Sequence, residues 1–359
     1  MAYFECEGVK IYGLACAVPK NKVCIKDYKN IFSDDTVTRF INNTGIVHVH
    51  RTTENQTASD LGCEAAKELL LRFNIESKEI GLLVFASQSP DYRKPATACV
   101  LHSRLKLEKS CAAFDVNLGC SSFVYCNQLI ASMLQGSCDK KYGLLILGET
   151  SSKLVSPDDE STAMMFGDAG AAILYAKDNN SHIKTLLMTD GNRFKSIIVP
   201  SGGFRDMHPK EEYYITQDGK SRSKYCSYMD GVSVFSFAIT DVVNSIKEFL
   251  VMNKTTIDAY NYIVLHQANN LIVKRITHKL GVSNDKVLSS LEEYGNTSGV
   301  SIPLTLSHCL SHREEGLIKI LIVGYGIGLS WGVSSLTIDT DRILNVIETD
   351  SFYSEGIIK

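Results

Sequence analysis

Apolar and polar residues follow two rhythms along this chain. In ASDLGCEAAKELLLRF (58–73), Leu61, Ala65, Leu69 and Phe73 recur at helical spacing, and in SFAITDVVNSIKEFLV (236–251) Ile239, Val243, Ile246 and Leu250 do the same. Each stripe predicts an amphipathic helix with one buried face. The second rhythm is a short, almost unbroken apolar run: IGLLVFASQS (80–89), YGLLILGET (142–150), YNYIVLHQAN (260–269) and IKILIVGYG (318–326). Such runs predict strands covered on both faces, as in a sheet sandwiched by helices.

These patterns come in the same order twice. After each amphipathic helix comes a strand, then a strand turning sharply into a helix, then another strand. The middle segment is AAFDVNLGCSSFVYCNQLIASML (112–134) in the first copy and VLSSLEEYGNTSGVSIPLTLSHCL (287–310) in the second. The repeat predicts an α/β protein of two related halves, 1–178 and 179–340. Within the second half, residues 201–224 carry Gly202, Gly203, Pro209 and Gly219 and read as an excursion loop. The tail 341–359 shows no clear partner element.

Composition narrows the class. With 359 residues, 44% of them hydrophobic, the chain has apolar material for a large core. A net charge of −3 gives no footprint for nucleic acid. The first residues mix Glu5, Glu7 and Lys10 into their apolar positions, unlike a secretory signal, and no apolar run is long enough to cross a bilayer. A cytoplasmic protein without membrane contact is expected. Eleven cysteines with no CxxC pair fit free thiols in a reducing compartment. Cys111, Cys120 and Cys126 lack the paired spacing of structural zinc, and His48 and His50 read as an edge strand, so no metal is expected. The basic clusters KSRSKY (Lys220, Arg222, Lys224) and VKRITHK (Lys274, Arg275, Lys279) read first as solvated faces.

The repeat also places three reactive side chains. Cys120 and Asn296 occupy equivalent strand-to-helix turns, and His266 ends the first strand of the second half. Ligands of parallel α/β sheets bind at the carboxyl ends of strands, and all three lie at such ends. A cysteine just ahead of a helix feels the positive end of its dipole, which predicts a lowered pKa and thiolate character. Gly119 permits an exposed, strained turn like a nucleophile elbow. N–H groups there and in the glycine-rich GYGIG (324–328) predict an oxyanion hole for a thioester's tetrahedral intermediate. Taken singly, each residue has a plainer reading: Cys120 as a small core thiol, His266 as a polar residue closing a strand, Asn296 as a helix cap. Their coincidence favours catalysis. GYGIGLSWG is no dinucleotide loop, since Leu329 stands where the third glycine belongs, and FGDAGAA lacks the lysine of a phosphate loop.

In order and spacing, VNLGCSSF around Cys120, FGDAGAAI (166–173), HQANNL (266–271), YGNTSGVSIP (294–303) and GYGIGLSWG (324–332) resemble the β-ketoacyl-acyl-carrier-protein synthase III family of the thiolase-like superfamily. The resemblance covers nearly the whole chain up to about Leu336. It implies a five-layered αβαβα thiolase-like fold, a cytoplasmic homodimer, a place in fatty acid biosynthesis and no cofactor. It also implies ping-pong catalysis: Cys120 takes an acyl group from acyl-coenzyme A, and malonyl-acyl carrier protein then loses carbon dioxide to give a carbanion that attacks the acyl-cysteine. Further implications are His266 and Asn296 as donors to the malonyl thioester carbonyl, and backbone N–H groups of Cys120 and Ile327 as the oxyanion hole. Phe166 is implied as a substrate-site residue.

Departures from the family pattern mark where this chain differs. Arg39 stands where a coenzyme A-stacking tryptophan is common, and Asn43 replaces a nearby arginine. Lys153 is the basic residue expected before FGD. Lys94 takes the place of an apolar residue that reaches the acyl chain across the dimer, which predicts a polar or unusual starter, since an unpaired charge in an acyl pocket is costly. Leu271 occupies the family's basic docking position, leaving Lys274 and Arg275 as candidates to receive an acidic carrier protein. Gln88 cannot serve as the general base that hydroxymethylglutaryl-coenzyme A synthases need. The remaining alternatives are a chalcone-synthase-like or pathway-specific condensing enzyme, a non-decarboxylating acyltransferase and an inactive partner subunit. Retention of Cys120, His266 and Asn296 together speaks against the last.

Overall fold

The long apolar runs become inner strands of a nine-stranded sheet in a computed structural model that describes residues 2–137, 140–216 and 218–355. The strands are β1 (Ala2–Pro19), β2 (Ile80–Ala86), β3 (Ala112–Val116), β4 (Tyr142–Glu149), β5 (Ala169–Thr189), β6 (Tyr262–Leu265), β7 (Leu317–Gly326), β8 (Ser330–Asp339) and β9 (Ile347–Thr349). The helices that matter for the site are α1 (Asp34–Thr44), α2 (Ala58–Arg72), α3 (Ser122–Gln135), α4 (Val243–Met252), α5 (Asn270–Leu280) and α6 (Ser301–Leu310).

Strand pairing repeats along the sheet. In the first series β3, β2, β4, the front of β5 and the back of β1 lie side by side, paired parallel, parallel, antiparallel, antiparallel. A bridge at Val287, then β6, β7, β8 and the back of β5 give the same order and senses. The front of β1 pairs with the back of β5 and so joins the two series.

Side-chain alternation on these strands builds five layers, because successive residues of a strand face opposite sides. On β4, Leu145 and Leu147 join the central cluster with Phe123, Ile130 and Leu134 of α3. Leu144 and Ile146 face the other way, against Ala65, Ala66 and Leu69 of α2. On β7, Ile320 and Ile322 pack inward with Ile302, Leu304 and Leu306 of α6. Leu321 and Val323 pack outward on Ile246 and Phe249 of α4 and Ile272 and Ile276 of α5. The order is therefore helix, sheet, paired helices α3 and α6, sheet, helix. Each fully buried Leu or Ile contributes on the order of 1.5–3 kcal/mol, which ties α3 and α6, and the turns ahead of them, firmly to both sheets.

Three expectations change. The predicted strand around 287–290 forms only an isolated bridge between Ile263 and Val287. The Oε1 of Gln267 draws the chain away, accepting from Ser289 Oγ and Ser290 N–H. The predicted helix at 236–251 contains one wide π turn, Ala238–Val242, ahead of α4. The tail has a partner after all: β9 runs parallel to β1, Gln56 Nε2 donates to the carbonyls of Thr349 and Ser351, and Glu355 pairs with Arg104. Residues 356–359 of the tail lie outside the described residues.

The excursion 201–224 is built around a buried charge network. Tyr213–Ile215 and Ser221–Ser223 pair as a ribbon, and Arg222, only 7% exposed, donates to Asp159 (2.7 Å) and Asp218 (2.8 Å). Arg222 is thus no solvated surface cation. Both carboxyls are held below their usual range chiefly by hydrogen bonds from its guanidinium, in Asp159 against the opposing effect of burial. Gln217 lies outside the described residues.

Candidate active site

Cys120 sits between the end of β3 and the start of α3. A Cβ on Gly119 would lie 2.4 Å from Gln88 Oε1 and 3.2 Å from Ser298 Oγ, so the turn passes close to both side chains. From the other side Gly326 closes in at the end of β7, with φ +158°; a Cβ there would lie 2.6 Å from Cys120 Cβ and 2.9 Å from its Sγ. The absence of a Cβ at Gly326 thus lets the end of β7 close on the thiol.

The other two predicted residues are brought to the same place. His266 follows β6; its N–H donates to the Val323 carbonyl (2.8 Å) and its own carbonyl accepts from Tyr325 OH (3.2 Å). Asn296 precedes α6 and is clamped by the FGD segment: its N–H donates to Met165 O (3.0 Å) and its carbonyl accepts from Gly167 N–H (3.2 Å). FGDAGAAI therefore acts as a backbone clamp. Asp168 anchors that clamp by accepting from Thr52 and Ser152. Cys120, His266 and Asn296 all line one cavity of about 430 Å³, together with Phe166, Gln88, Glu149, Ser298 and Ile327.

The network sets protonation. Ser301 Oγ lies 2.7 Å from His266 Nδ1 and also faces Gln267 N–H. In the tautomer in which the Ser301 hydroxyl donates to Nδ1, Nε2 carries the ring N–H. Burial lowers the His266 pKa to about 3, against a smaller opposing effect of the Ser298 backbone, so the imidazole is a neutral donor at pH 7. The Oδ1 of Asn296 accepts from Ser298 N–H (2.9 Å), which leaves its NH₂ as the free end. With the ring in that tautomer, His266 and Asn296 bring two neutral N–H donors to one cavity, suited to an oxygen that gains negative charge.

The thiol differs from expectation. Its pKa is raised by burial; Ser298 Oγ and the backbone N–H groups of Ile327 and Cys120 pull the other way but do not prevail. The helix terminus that predicted a thiolate is outweighed because Cys120 is 8% exposed and, among the described residues, no Lys or Arg lines the cavity. The backbone N–H groups of Cys120 and Ile327 nevertheless stand beside the sulfur. Cys126, deeper along α3, is fully buried, with its thiol pushed up to about 12.

The substrate candidates divide. Phe166 lines the cavity. Lys153 Nζ is engaged by the Glu54 and Gln56 carbonyls (3.0 and 2.6 Å). Arg39, on α1, is exposed and donates to its own helix at Asp35 O. Lys94 is exposed and outside the lining. Lys274 and Arg275 are exposed on α5, whose first turn contributes Ile272 to the cavity, with Asn269 just before it.

Among the lining residues that escaped the sequence reading, Glu149 and Ser298 lie nearest the chemistry. Glu149, 2% exposed at the end of β4, accepts from Gln88 N–H (3.2 Å) and Ser89 Oγ (3.3 Å). Burial pushes its carboxyl up to about 8, and proximity to Cys120 adds to the rise. Its signal was present, a carboxylate closing an apolar strand. Ser298 gave none, being one hydroxyl among several in NTSGVS.

Comparison with known proteins agrees with this geometry. Residues 114–191 match the family model for 3-oxoacyl-[acyl-carrier-protein] synthase III, and residues 250–338 match that for its C-terminal part. A β-ketoacyl-[acyl-carrier-protein] synthase III from Streptococcus gordonii is 34% identical over 337 residues, 92% of this chain and 99% of the relative. The chain belongs to the β-ketoacyl-acyl-carrier-protein synthase III family. A 3-oxoacyl-(acyl-carrier protein) synthase from Burkholderia xenovorans superposes with a TM-score of 0.91 at 31% identity, covering 97% of this chain and 99% of that one. A priming β-ketosynthase of the R1128 polyketide pathway shares the fold, with a TM-score of 0.81 at 23% identity over 93% of this chain and 97% of that one. The synthase III fold is thus the thiolase-like five-layered arrangement described above, and the family consists of condensing acyltransferases that use acyl carrier protein. Among the described residues no helix is long and apolar enough to cross a membrane.

Proposed function

We propose that this synthase III joins an acyl starter from acyl-coenzyme A to malonyl-acyl carrier protein, with Cys120 as nucleophile. In the first half-reaction Cys120 Sγ attacks the thioester carbonyl, and the N–H groups of Cys120 and Ile327 hold the oxyanion. The bond to the coenzyme A sulfur breaks, and the thiol proton leaves with that sulfur. In the second, the malonyl thioester carbonyl accepts from His266 Nε2–H and the Asn296 amide. The carbon–carbon bond to the carboxylate breaks, carbon dioxide leaves, and the electron pair becomes an enolate, which attacks the acyl carbonyl and expels the Cys120 thiolate; the thiolate takes up a proton from solvent to restore the resting thiol. A neutral His266 suits this role, because a donor that does not transfer its proton stabilises the enolate without quenching it.

The observation that carries the reading is the convergence of Cys120, His266 and Asn296 on one cavity, with two backbone N–H groups at the sulfur. Gln88, Glu149 and Ser151 place polar groups in a lining that is otherwise largely apolar, which supports an acyl starter carrying a polar group; Lys94 lies outside that lining. Lys274 and Arg275, exposed on the helix whose first turn meets the cavity, are the proposed carrier-protein contacts. Arg39, Lys153 and Lys94 are proposed for coenzyme A or starter contact, Lys153 through release of its present carbonyl partners. A homodimer free of cofactor and metal completes the proposal.

Intact-mass spectrometry after incubation with a panel of acyl-coenzyme A thioesters tests it. One acyl group adds to the native chain and none to Cys120→Ala. An adduct that survives Cys120→Ala, or none with any donor, overturns the assignment; acetyl as the best donor overturns the polar starter alone.

A further inference from the structure

Ser298 touches every member of the site. Its Oγ lies 3.7 Å from Cys120 Sγ, its N–H donates to Asn296 Oδ1 (2.9 Å), and its backbone faces the His266 ring. It is buried, at 3% exposure. Four non-glycine residues among those described have positive φ: Asn74, Lys106, Lys254 and Ser298. The first three are exposed residues just past helix ends, where a left-handed residue is a common way to stop a helix. Ser298 alone is inside, at φ +49°, and strain held at a reacting centre points to a role there.

That conformation has two consequences. It turns the backbone N–H toward Asn296 Oδ1, which fixes the amide with its NH₂ outward. It also brings the hydroxyl to the sulfur across Gly119, where a Cβ would stand 3.2 Å from Ser298 Oγ. Among the described residues, Cys120 Sγ is the hydroxyl's partner.

We propose that Ser298 is a fourth catalytic residue, whose hydroxyl donates to the Cys120 sulfur whenever that sulfur carries negative charge. This rests on Cys120 being the nucleophile proposed above. The charge arises twice: as the thiol attacks the acyl-coenzyme A carbonyl, and as the condensation expels thiolate. In both steps the hydroxyl keeps its proton; in acylation the thiol's own proton goes to the departing coenzyme A sulfur. The titratable groups facing the sulfur from neighbouring elements are Glu149 on β4, His266 after β6 and Tyr325 on β7. None is cationic at pH 7, so the thiolate depends on neutral donors, and Ser298 supplies the one side-chain hydroxyl at hydrogen-bond distance from it among the described residues.

Ser298→Gly separates the hydroxyl from the backbone, since glycine accepts φ +49° freely and keeps the N–H to Asn296. Two readouts follow: the rate of acyl transfer to Cys120, and the pH midpoint of Cys120 alkylation by iodoacetamide, mapped by peptide mass. Loss of one hydrogen bond to a charge slows acylation roughly 10- to 100-fold and moves the midpoint up by roughly one to two pH units. Decarboxylation of malonyl-carrier thioester stays within a few-fold. Native acylation rate and native midpoint in Ser298→Gly overturn the proposal, as does an equal loss of decarboxylation, which marks a structural role. If Ser298→Gly does not fold, Ser298→Ala, which removes the hydroxyl without adding a donor or bulk, gives the same readouts. If the native chain takes no acyl group, the reading of Cys120 as nucleophile fails, and the alkylation midpoint still tests the hydrogen bond.

Discussion

The turn at Cys120 and the turn at Asn296 stand at equivalent places in the two halves, yet they are built differently. The first is short and direct: β3 ends at Val116, and Gly119 and Cys120 lead into α3. The second has no strand, only the bridge at Val287, then a one-turn helix Leu291–Tyr294 and a clamp from the FGD segment. The first turn gathers donors around one sulfur: Ile327 N–H, its own N–H and the Ser298 hydroxyl. The second spends its own carbonyl and side-chain oxygen on backbone N–H groups and leaves an amide NH₂ toward the cavity. Duplication thus supplies two facing turns ahead of paired helices, and their local wiring gathers hydrogen-bond donors at a sulfur in one and presents an amide nitrogen to the cavity in the other.

Removing the donors at the second turn and at the end of β6 separates the two half-reactions most sharply. His266→Ala and Asn296→Ala each lower malonyl-carrier decarboxylation about 100-fold or more, the cost of one lost oxyanion donor, while acyl transfer to Cys120 stays within a few-fold. Comparing carbon dioxide release with intact mass checks this; equal losses in both steps would mean that the turns do not divide the work.

A smaller effect comes from crowding the first turn. Gly326→Ala places a methyl group 2.6 Å from Cys120 Cβ at a backbone angle that favours glycine, and overpacking of this kind costs about 1–3 kcal/mol. Acylation falls by 10-fold or more, with a lower melting temperature. An unchanged acylation rate would show that β7 does not confine the sulfur.

The smallest effect is read in stability against pH. The folded state holds the Glu149 proton up to about 8, whereas an unfolded glutamate releases it near 4.3. The folded state therefore binds more protons between these values. Its favourable contribution is complete below the unfolded value and is lost as pH rises through about 8, where burying the charge becomes unfavourable. Glu149→Gln flattens that fall. Urea titrations at pH 5 and pH 8.5 measure it, with a difference between the two chains on the order of 1 kcal/mol or more expected. No difference would place the Glu149 carboxylate in a solvated setting.

Much of this was legible in one dimension. Continuous apolar runs identified strands buried on both faces, and the repeat paired Cys120 with Asn296 and set His266 beside them. Other readings failed where a contact overruled a local pattern. Burial reversed the expected thiol pKa, Asp159 and Asp218 took Arg222 out of solvent, and Gln267 unmade a predicted strand. The tail gained its partner from the edge of β1, a surface that exists only once the sheet is assembled.

By itself, then, the sequence determined the periods, the repeat and the chemical identity of Cys120, His266 and Asn296, because those depend on side-chain type and spacing along the chain. The tertiary structure alone decided that Ser298 reaches the sulfur, that His266 is neutral with Nδ1 against Ser301, that Asn296 shows its amide nitrogen, and that Glu149 keeps its proton. Each of these depends on which groups from distant segments meet, and on how much water their meeting excludes, and neither is written in local order.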